Sequence, residues 1–284
     1  MTELNEFLIL NEIRIRLVFF FGVFLLLAIW EVFSPRRKLI LPKAMRWANN
    51  IALVFLNSLI LRVLFPMAAV GMAVFAEEHG WGIFNYYDVS FAITVITSIV
   101  IMDAIIYLQH VMVHAIPVLW RIHRVHHADP DFDVTTGSRF HPLEIILSIL
   151  IKFSVIVVLG PPVMAVIIFE VLLNASAMFN HSNIRINVNI DKYLRWIVVT
   201  PDMHRVHHSV VADETNSNFG FTLPWWDRLF GTYKDQPRAG HANMTIGIND
   251  YNQPKQVTWL SGMLTLPLIG IVSDYVINRR YKDE

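Results

Sequence analysis

The sequence predicts an all-α integral membrane protein: a bundle of about four transmembrane helices with a cytoplasmic helical cap that carries clustered histidines. Of the 284 residues, 55% are hydrophobic and only 16% are charged, whereas a soluble domain averages about 25% charged residues. The apolar residues come in long runs, and about 20 consecutive apolar residues suffice to cross a bilayer as a helix. Eight of the twelve histidines lie in three short clusters, which indicates a metal site at one end of the bundle.

Four apolar stretches are the candidate transmembrane segments. The first lacks the basic start and the small-residue cleavage site of a signal peptide, so we expect it to be retained. The second is interrupted by Arg62 and Pro66. The fourth is long enough for two passes and breaks at Gly160-Pro161-Pro162, which predicts a helical hairpin. The stretches are residues 17–33, 51–76, 89–110 and 143–179.

The distribution of Lys and Arg predicts the orientation of these segments. Five basic residues lie in the segment 34–48, whereas the segment 77–88 is acidic and has no basic residue. Because positively charged loops stay in the cytoplasm, we place 34–48 there and 77–88 outside. The third span then returns to the cytoplasmic side and delivers the histidine clusters there.

A last apolar stretch, residues 257–276, contains Pro267 and two glycines. If this stretch crossed the membrane, a group of basic residues would lie outside, against the same rule. We therefore expect an interfacial or re-entrant path for it. The basic residues concerned are Arg279, Arg280 and Lys282.

The composition also limits the chemistry. Cysteine is absent, so disulfides and thiolate metal ligands are excluded and any metal must be held by nitrogen or oxygen. The net charge is zero, which gives no indication of nucleic-acid binding.

The three histidine clusters have the spacing of metal ligands. On a helix, residues three and four apart lie on one face, so each cluster presents its imidazoles together. Imidazole is the commonest protein ligand for zinc and iron. Eight ligands exceed what one metal accepts, since zinc takes four and iron at most six, so the sequence predicts two neighbouring metals. The first cluster is His110 and His114, the second is His123, His126 and His127, and the third is His204, His207 and His208.

Two further histidines are candidate ligands. His181 follows a long apolar stretch and is expected at the same membrane depth as the clusters. His141 precedes Pro142, where a helix should begin, so it is either a ligand or a capping residue. Two roles remain open for Glu144, which either caps the same helix start or hydrogen-bonds a ligand histidine.

Three polar residues are candidates for catalytic support. Asp103 lies inside a span, where an acid is costly and usually paired, so it orients a ligand histidine, pairs with Arg62 or serves helix packing. Glu170 is either a supporting base or the partner of Lys152. Asn218 is expected to hold a ligand or a water molecule by a hydrogen bond. The aromatic run at 225–233 is expected to serve core packing and membrane-surface anchoring.

These motifs resemble the fatty acid hydroxylase, or sterol desaturase, superfamily of membrane histidine-box enzymes. The resemblance covers residues 95 to 235. The three clusters in order are its specific part, and four shorter motifs support it. The supporting motifs are Arg139-x-His141-Pro142-x-Glu144, Asn180-His181, Asn216-Ser217-Asn218-x-Gly220 and the run from Trp226 to Thr232.

The resemblance implies a non-haem di-iron centre held by histidines, dioxygen as co-substrate and a lipid substrate. A purified sample of such a protein can carry zinc instead of iron. The expected reaction is hydroxylation or desaturation of a C–H bond in a sterol, fatty acyl or ether lipid. The electrons are expected from an external electron-transfer protein, because the chain has no flavin, haem or cysteine-cluster motif.

One departure narrows the resemblance. Fatty acid 2-hydroxylases carry a second histidine four residues after the one that matches His181, and Arg185 stands there in this chain. The pattern is nearer to bacterial sterol-desaturase-like proteins and alkylglycerol monooxygenases, so we expect a bacterial inner membrane and a cytoplasmic active site. The expected division is N-terminal transmembrane helices at 1–90, a catalytic domain at 91–256 and an interfacial or re-entrant segment at 257–284.

Two other functions are compatible with clustered histidines. A dizinc lipid hydrolase would use its metals to activate water, but hydrolytic two-metal sites usually include bridging carboxylates, and the three clusters contain none. A metal transporter would use histidines and Asp103 along an ion path. The clusters, however, gather at one membrane face.

Overall fold

The computed structural model describes residues 3–251, 253–270 and 275–277, and this part of the chain is helical with isolated β-bridges and no strand. The predicted all-α class is confirmed. The first eight helices are α1 (Glu3–Phe33), α2 (Lys43–Leu64), α3 (Ala69–Glu78), the single turn α4 (Ile83–Tyr86), α5 (Phe91–Ala115), α6 (Pro117–His127), α7 (Pro142–Leu159) and α8 (Val163–Asn180). Short helices follow: α9 (Val188–Leu194), α10 (Pro201–His207), α11 (Ala212–Thr215), α12 (Trp225–Leu229), α13 (Gly240–Asn243), α14 (Pro254–Val257) and α15 (Leu260–Thr265).

Five described stretches are long and apolar enough to cross a membrane, which is the composition of an integral membrane protein. The expected number was about four. The structure gives five because the fourth apolar stretch folds as two separate helices, α7 and α8. The five stretches are Glu6–Phe33, Lys43–Tyr86, Phe91–Ala115, Pro142–Leu159 and Val163–Asn180.

The predicted hairpin turns at Gly160. Its φ is +64°, a left-handed conformation that glycine adopts without a steric penalty. A side chain here would also collide, because a Cβ would lie 2.5 Å from the carbonyl oxygen of Trp81. The second span is broken at Phe65 and Pro66, where α2 ends and α3 follows, as the proline predicted.

Helix α8 is central in the bundle, because α1, α3 and α5 all pack against it. Apolar side chains from these helices and from α7 form the main core, which includes Val70, Ile106, Ile156, Val166 and Phe169. The C-terminal ends of α1, α5 and α8 meet the N-terminal ends of α2 and α7 on one side of the bundle. The backbone of Arg36, for example, donates a 2.8 Å hydrogen bond to the carbonyl of Asn183.

The C-terminal apolar stretch contains only short helices in its described part. Helix α15 has six residues and the 3₁₀ turn after it has three, so neither is long enough to cross a membrane. Both pack against other helices, α15 against α2 and the 3₁₀ turn against α6. The three basic residues of the orientation argument, Arg279, Arg280 and Lys282, lie outside the described residues.

A buried ionic cluster fixes the loop that follows the second histidine cluster. Arg46 of α2 is fully buried and donates two hydrogen bonds to Asp129, at 2.6 and 2.9 Å, and one to Asp133. Burial alone would raise the pKa of Asp129, but Arg46 and Arg139 lower it below its ordinary value. The loop is therefore held to α2 by buried ion pairs, in addition to the apolar cluster that contains Val134 and Trp47.

Replacing Arg46 by Met should lower the free energy of unfolding by about 3–5 kcal/mol, because buried carboxylates would lose their counter-charge. The measurement is chemical unfolding of the purified protein in detergent micelles. Arg62→Met is the matched control, since Arg62 is an exposed arginine of the same helix, and it should change stability by less than about 0.5 kcal/mol. Equal losses in the two variants would contradict the assignment.

Candidate metal centre

The structure brings nine of the ten predicted ligand histidines together in two neighbouring groups. Within each group one ring nitrogen from each residue lies within 4.8 Å of all the others, and all nine residues are buried. The two groups are in contact, since the rings of His127 and His208 stack at 4.5 Å between centroids. Group A is His110, His114, His123, His127 and His207, and group B is His126, His181, His204 and His208.

Each of the last two clusters is shared between the two groups. In α6, His123 and His127 point into group A, while His126 points into group B. In the third cluster, His204 and His208 belong to group B and His207 belongs to group A. Residues four apart therefore stay together, and the residue between them turns to the neighbouring group. This arrangement places two candidate metal positions side by side.

Local sequence sets the helix that carries the third cluster. Pro201 occupies its first turn, and the hydroxyl of Thr200 accepts a hydrogen bond from the backbone N–H of Met203 at 3.3 Å. Thr200 is thus the N-terminal cap of α10, and Pro201 occupies a first-turn position that needs no backbone N–H. The first cluster lies one turn apart near the C-terminal end of α5, so a membrane-spanning helix delivers it to the cap side.

The ring nitrogens in group B lie at hydrogen-bond distance from one another, but they carry too few protons to form all of these hydrogen bonds. The Nε2 atom of His181 lies 3.0 Å from that of His126, 3.1 Å from that of His204 and 3.2 Å from that of His208. A neutral imidazole has one N–H and one acceptor nitrogen, so one Nε2 cannot satisfy three others. Around a tetrahedral ion with bonds of about 2.0–2.1 Å, ligand nitrogens lie about 3.3 Å apart. The donor set of group B therefore fits a shared cation.

Group A shows the same spacing. The Nε2 atoms of His110 and His207 lie 3.0 Å apart, and those of His114 and His127 lie 3.1 Å apart. The Nε2 of His123 is buried and has no hydrogen-bond partner among the described residues. Lone pairs that converge in this way are stabilised by a positive ion at their centre. Group A therefore fits a cation as well.

Backbone carbonyls orient several of these rings through their other nitrogen. The Nδ1 atom of His110 lies 2.8 Å from the Phe219 carbonyl, that of His181 lies 2.8 Å from the Ala177 carbonyl, and that of His207 lies 2.7 Å from the Ser217 carbonyl. A carbonyl oxygen only accepts, so each of these Nδ1 atoms carries the proton and each Nε2 presents its lone pair.

Burial keeps the imidazoles outside the spans in the neutral form. It lowers the pKa of His204, His207 and His208 well below its ordinary value, and the neighbouring histidines lower it further for His208. Burial also lowers the pKa of His181 to about 3. Neutral imidazole is the form that binds a metal, so these rings are ready as ligands at physiological pH.

Glu144 hydrogen-bonds a ligand histidine, which is one of the two roles left open for it. Its Oε1 atom lies 2.6 Å from Nδ1 of His123, and both side chains are buried. A carboxylate in this position fixes the ring and increases the basicity of the ligating nitrogen.

His141 was a candidate metal ligand, with helix capping as the alternative, and the structure does not place it in either group. Its Nδ1 accepts a hydrogen bond from the backbone N–H of Leu143 at 3.2 Å, which caps the start of α7. Its Nε2 lies 3.3 Å from the carbonyl oxygen of Leu264. The physical reason is its position before Pro142, because the residue that precedes a helix start is available to cap the free N–H groups.

Asp103 and Glu170 have partners away from the histidines. Asp103 accepts hydrogen bonds from the indole N–H of Trp226 at 2.8 Å and from a backbone N–H at 3.3 Å, while Arg62 is exposed. Neither expected partner of Asp103 is thus the one found. Glu170 pairs with Lys152 at 2.9 Å, which was one of the two roles predicted for it. It also pairs with Arg16 at 3.1 Å.

Asn218 holds the segment that follows the third cluster. Its amide donates to the carbonyls of Met203 at 2.9 Å and Lys234 at 2.8 Å, and its oxygen accepts from the backbone N–H of Lys234. Its φ of 52° is unusual for a residue other than glycine. Its contacts thus fix the loop that carries Ser217 and Phe219, whose carbonyls orient two ligand histidines.

Asp227 has a positioning role that sequence reasoning did not assign. It accepts hydrogen bonds from the backbone N–H groups of Phe219 at 2.8 Å and Gly220 at 2.7 Å, and from the hydroxyl of Thr232. Burial raises its pKa to about 6. The sequence marked Asp227 only as a member of the motif at 226–232. The motif itself does not show that Asp227 binds the backbone of the segment after Asn216-Ser217-Asn218.

Gly137 permits a close approach beside group B. A Cβ there would lie 2.2 Å from the carbonyl oxygen of Ala177 and 3.3 Å from Nδ1 of His181. Only glycine lets the 3₁₀ turn Thr136–Ser138 pack this tightly against the end of α8.

A cavity of about 310 Å³ lies beside the histidines. His110, His123 and His126 line it, so it reaches both groups. It extends between the membrane-spanning helices to Arg16, Lys152 and Glu170. The structure thus joins two candidate metal positions to a cavity at membrane depth.

Residues 95–232 match the family model described as fatty acid hydroxylase. The histidine-bearing segment of this chain belongs to the fatty acid hydroxylase superfamily. The resemblance drawn from the three clusters is confirmed. The match covers all nine histidines of groups A and B.

Curated relatives within this superfamily carry lipid-modifying names. The chain is 29% identical to ornithine lipid hydroxylase OlsE of Rhizobium tropici over 64% of its own length and 54% of that protein. It is 32% identical to alkylglycerol monooxygenase of Xenopus tropicalis and 28% identical to the human protein of that name, over 53% and 52% of its length and 32% of each relative. The chain thus matches about half or less of the length of these relatives. No solved structure matches it.

Replacing His181 by Ala should remove one metal ion per chain, because three other group B nitrogens converge on this residue. We expect about two ions in the unaltered protein and about one in the variant, measured by mass spectrometry of the metals in purified protein. His141→Ala is the matched control and should retain both ions, since His141 lies outside the groups. Metal loss in His141→Ala, or full metal content in His181→Ala, would contradict this assignment.

Replacing Glu144 by Ala should weaken metal binding in group A by about 10–100-fold, because His123 would lose the partner that orients it. Glu144→Gln retains a hydrogen-bond acceptor without the charge and should show a smaller loss. Competition with a chelator at fixed pH measures both affinities. If both variants bind metal as tightly as the unaltered protein, Glu144 has no role in tuning the ligand.

Proposed function

We propose that this chain is a membrane-bound non-haem di-iron oxygenase that hydroxylates or desaturates a lipid C–H bond. The observation that carries the proposal is the pair of buried all-histidine groups, which lie beside a cavity at membrane depth. The names of the relatives support lipid hydroxylation in particular.

The chain would hold one iron in each group. When bound, the two irons supply redox chemistry that uses dioxygen and two electrons. For hydroxylation the balance is one C–H bond, one dioxygen, two electrons and two protons in, and one alcohol and one water out. We expect the electrons from an external electron-transfer protein, which fits a sequence with no cysteine for an iron–sulfur cluster and no flavin or haem motif.

The residues around the irons would position the lipid and protect the site. The cavity brings a lipid beside His110, His123 and His126. Apolar side chains such as Ile106 and Val113 line the same cavity and limit the access of water to the reacting carbon. The carbonyls and Glu144 keep the ligand rings fixed, so the reacting centre needs little rearrangement.

The donor sets support an oxygenase over the two other candidate functions. Both groups consist of histidine, and no described carboxylate belongs to either, whereas hydrolytic two-metal sites usually contain bridging carboxylates. The groups also lie together at one end of the helices instead of being distributed along them, which does not suit a metal transporter.

We place the histidine end on the cytoplasmic side of a bacterial inner membrane. The basic segment 34–48 lies at this end, where Arg36 pairs with Asp202 at 3.0 Å, one residue beyond the start of α10. Positively charged segments stay in the cytoplasm. Reduced electron carriers of the cytoplasm would then have direct access to the cap.

The test is comparative lipid analysis of cells that produce the protein and cells that produce His181→Ala. We expect a lipid that gains about 16 mass units on hydroxylation, or loses about 2 on desaturation, only in cells with the unaltered protein. Labelled dioxygen should place its heavy isotope in a hydroxylated product. His79→Ala, an exposed histidine outside both groups, should retain activity. Incorporation of oxygen from labelled water instead would point to hydrolysis.

A further inference from the structure

A charged cluster lies between the candidate membrane spans α1, α7 and α8. The carboxylate of Glu170 in α8 contacts Lys152 of α7 at 2.9 Å and Arg16 of α1 at 3.1 Å. All three side chains line the cavity that reaches the histidines. Charged residues inside membrane spans are costly and usually have a function.

The cluster lies far from the metal end of the cavity. Glu170 precedes His181 by eleven residues along α8, which corresponds to about 16 Å of helix rise. Lys152 follows the start of α7 by ten residues, a rise of about 15 Å. The charges are therefore too far from the metal positions to serve as ligands.

The cluster is arranged to accept an anion. Glu170 accepts a hydrogen bond from Lys152 and forms an ion pair with Arg16, and it holds the two cations beside each other. Arg16 also has a longer contact of 3.8 Å with Glu12 of its own helix. A lysine has three donors and an arginine has five, so both cations retain donors for a further acceptor. Arg16, Lys152 and Glu170 together carry one net positive charge, and Arg16 and Lys152 remain partly accessible, with 33% and 16% of their side chains exposed.

Neutral polar side chains extend this pattern along the cavity. Asn57, Ser148 and Asn174 are among its lining residues. The amides of Asn57 and Asn174 donate to the carbonyls of Phe140 and Glu170 at 2.9 and 2.8 Å, while the side-chain oxygen of Asn57 is buried and has no hydrogen-bond partner among the described residues. A buried polar atom is costly without a partner. The wall of the cavity is therefore polar as well as charged.

We infer that Arg16 and Lys152, held together by Glu170, bind an anionic group of the lipid substrate, a carboxylate or a phosphate. This inference rests on the proposed function, because it assigns the opposite end of the same cavity. The anion fixes how far the substrate enters, and thereby which carbon lies beside the histidines. Arg16 and Lys152 are thus specificity-determining residues for the reaction.

The test compares probes of equal chain length in the purified full-length protein in neutral detergent micelles. The probes are hexadecyl phosphate, hexadecanoate and the uncharged hexadecanol, each radiolabelled for equilibrium binding. We expect the two anions to bind at least about tenfold more tightly than the alcohol, since only the anions form charge-assisted contacts with the two cations. Equal affinity for the alcohol and the anions would overturn the inference.

Substitutions then assign the preference to the cluster. Lys152→Met should reduce affinity for the anions about tenfold and leave hexadecanol binding unchanged, while Lys152→Arg should retain the preference. Arg14→Met is the control, because Arg14 is an exposed arginine of α1. If Lys152→Met fails to fold, the double variant Lys152→Met with Glu170→Gln removes both charges and should also lose the preference. Equal loss for all probes would mean a structural role only.

Two further comparisons separate the alternatives. Inorganic phosphate should not displace hexadecyl phosphate at the same concentration, and its displacement would indicate a site for soluble anions and overturn the lipid assignment. A preference for anions without lipid oxidation would leave this inference standing and contradict the proposed function. Lipid oxidation without any preference for anions would do the reverse.

Discussion

The histidine site depends on one electrostatic constraint. Neutral imidazole nitrogens of groups A and B face one another at hydrogen-bond distance, and too few protons lie between them. His181 is the clearest case, because its Nδ1 is committed to a carbonyl while its Nε2 faces three other ring nitrogens. Facing lone pairs repel, and a shared cation turns that repulsion into ligation. The rings of group A come from α5, α6 and α10, and those of group B come from α6 and the ends of α8 and α10. A metal in each group would therefore link these four helices and add to the stability of the fold.

The orientation of the rings is in turn set by a loop with little regular structure. Residues 217–219 contribute the two carbonyls that hold His207 and His110. Asn218 and Asp227 fix this loop through buried hydrogen bonds to backbone groups. An irregular loop near the membrane must satisfy its own backbone polar groups, and these two side chains do so. Asn218 and Asp227 thus do not contact the metal positions themselves. They hold the loop whose carbonyls orient the ligand histidines.

Much of the site followed from spacing, because histidines four apart on a helix point to the same side and share a group here. What spacing could not give was their distribution, since neighbouring helices decide which ring turns to which group. His126, for instance, joins His181 and not its neighbour His127. The role of His141 stayed open because a residue before Pro142 satisfies the local rules for a cap and the motif of a ligand equally well. Lys152 was one of the two alternatives for Glu170, and the structure confirms that pair. Trp226, the partner of Asp103, comes from a distant segment, so no local pattern identifies it.

The cavity assembles its two ends from different parts of the chain. The histidines at one end lie within residues 95–232, the segment that matches the superfamily. Arg16 and Phe20, at the other end, belong to α1, which lies outside that segment. Polar contacts in a cavity of low dielectric constant discriminate between ligands more strongly than apolar contacts of similar size. In our proposal the selecting end of the cavity therefore combines Lys152 and Glu170 of the matching segment with Arg16 of α1, which lies outside it.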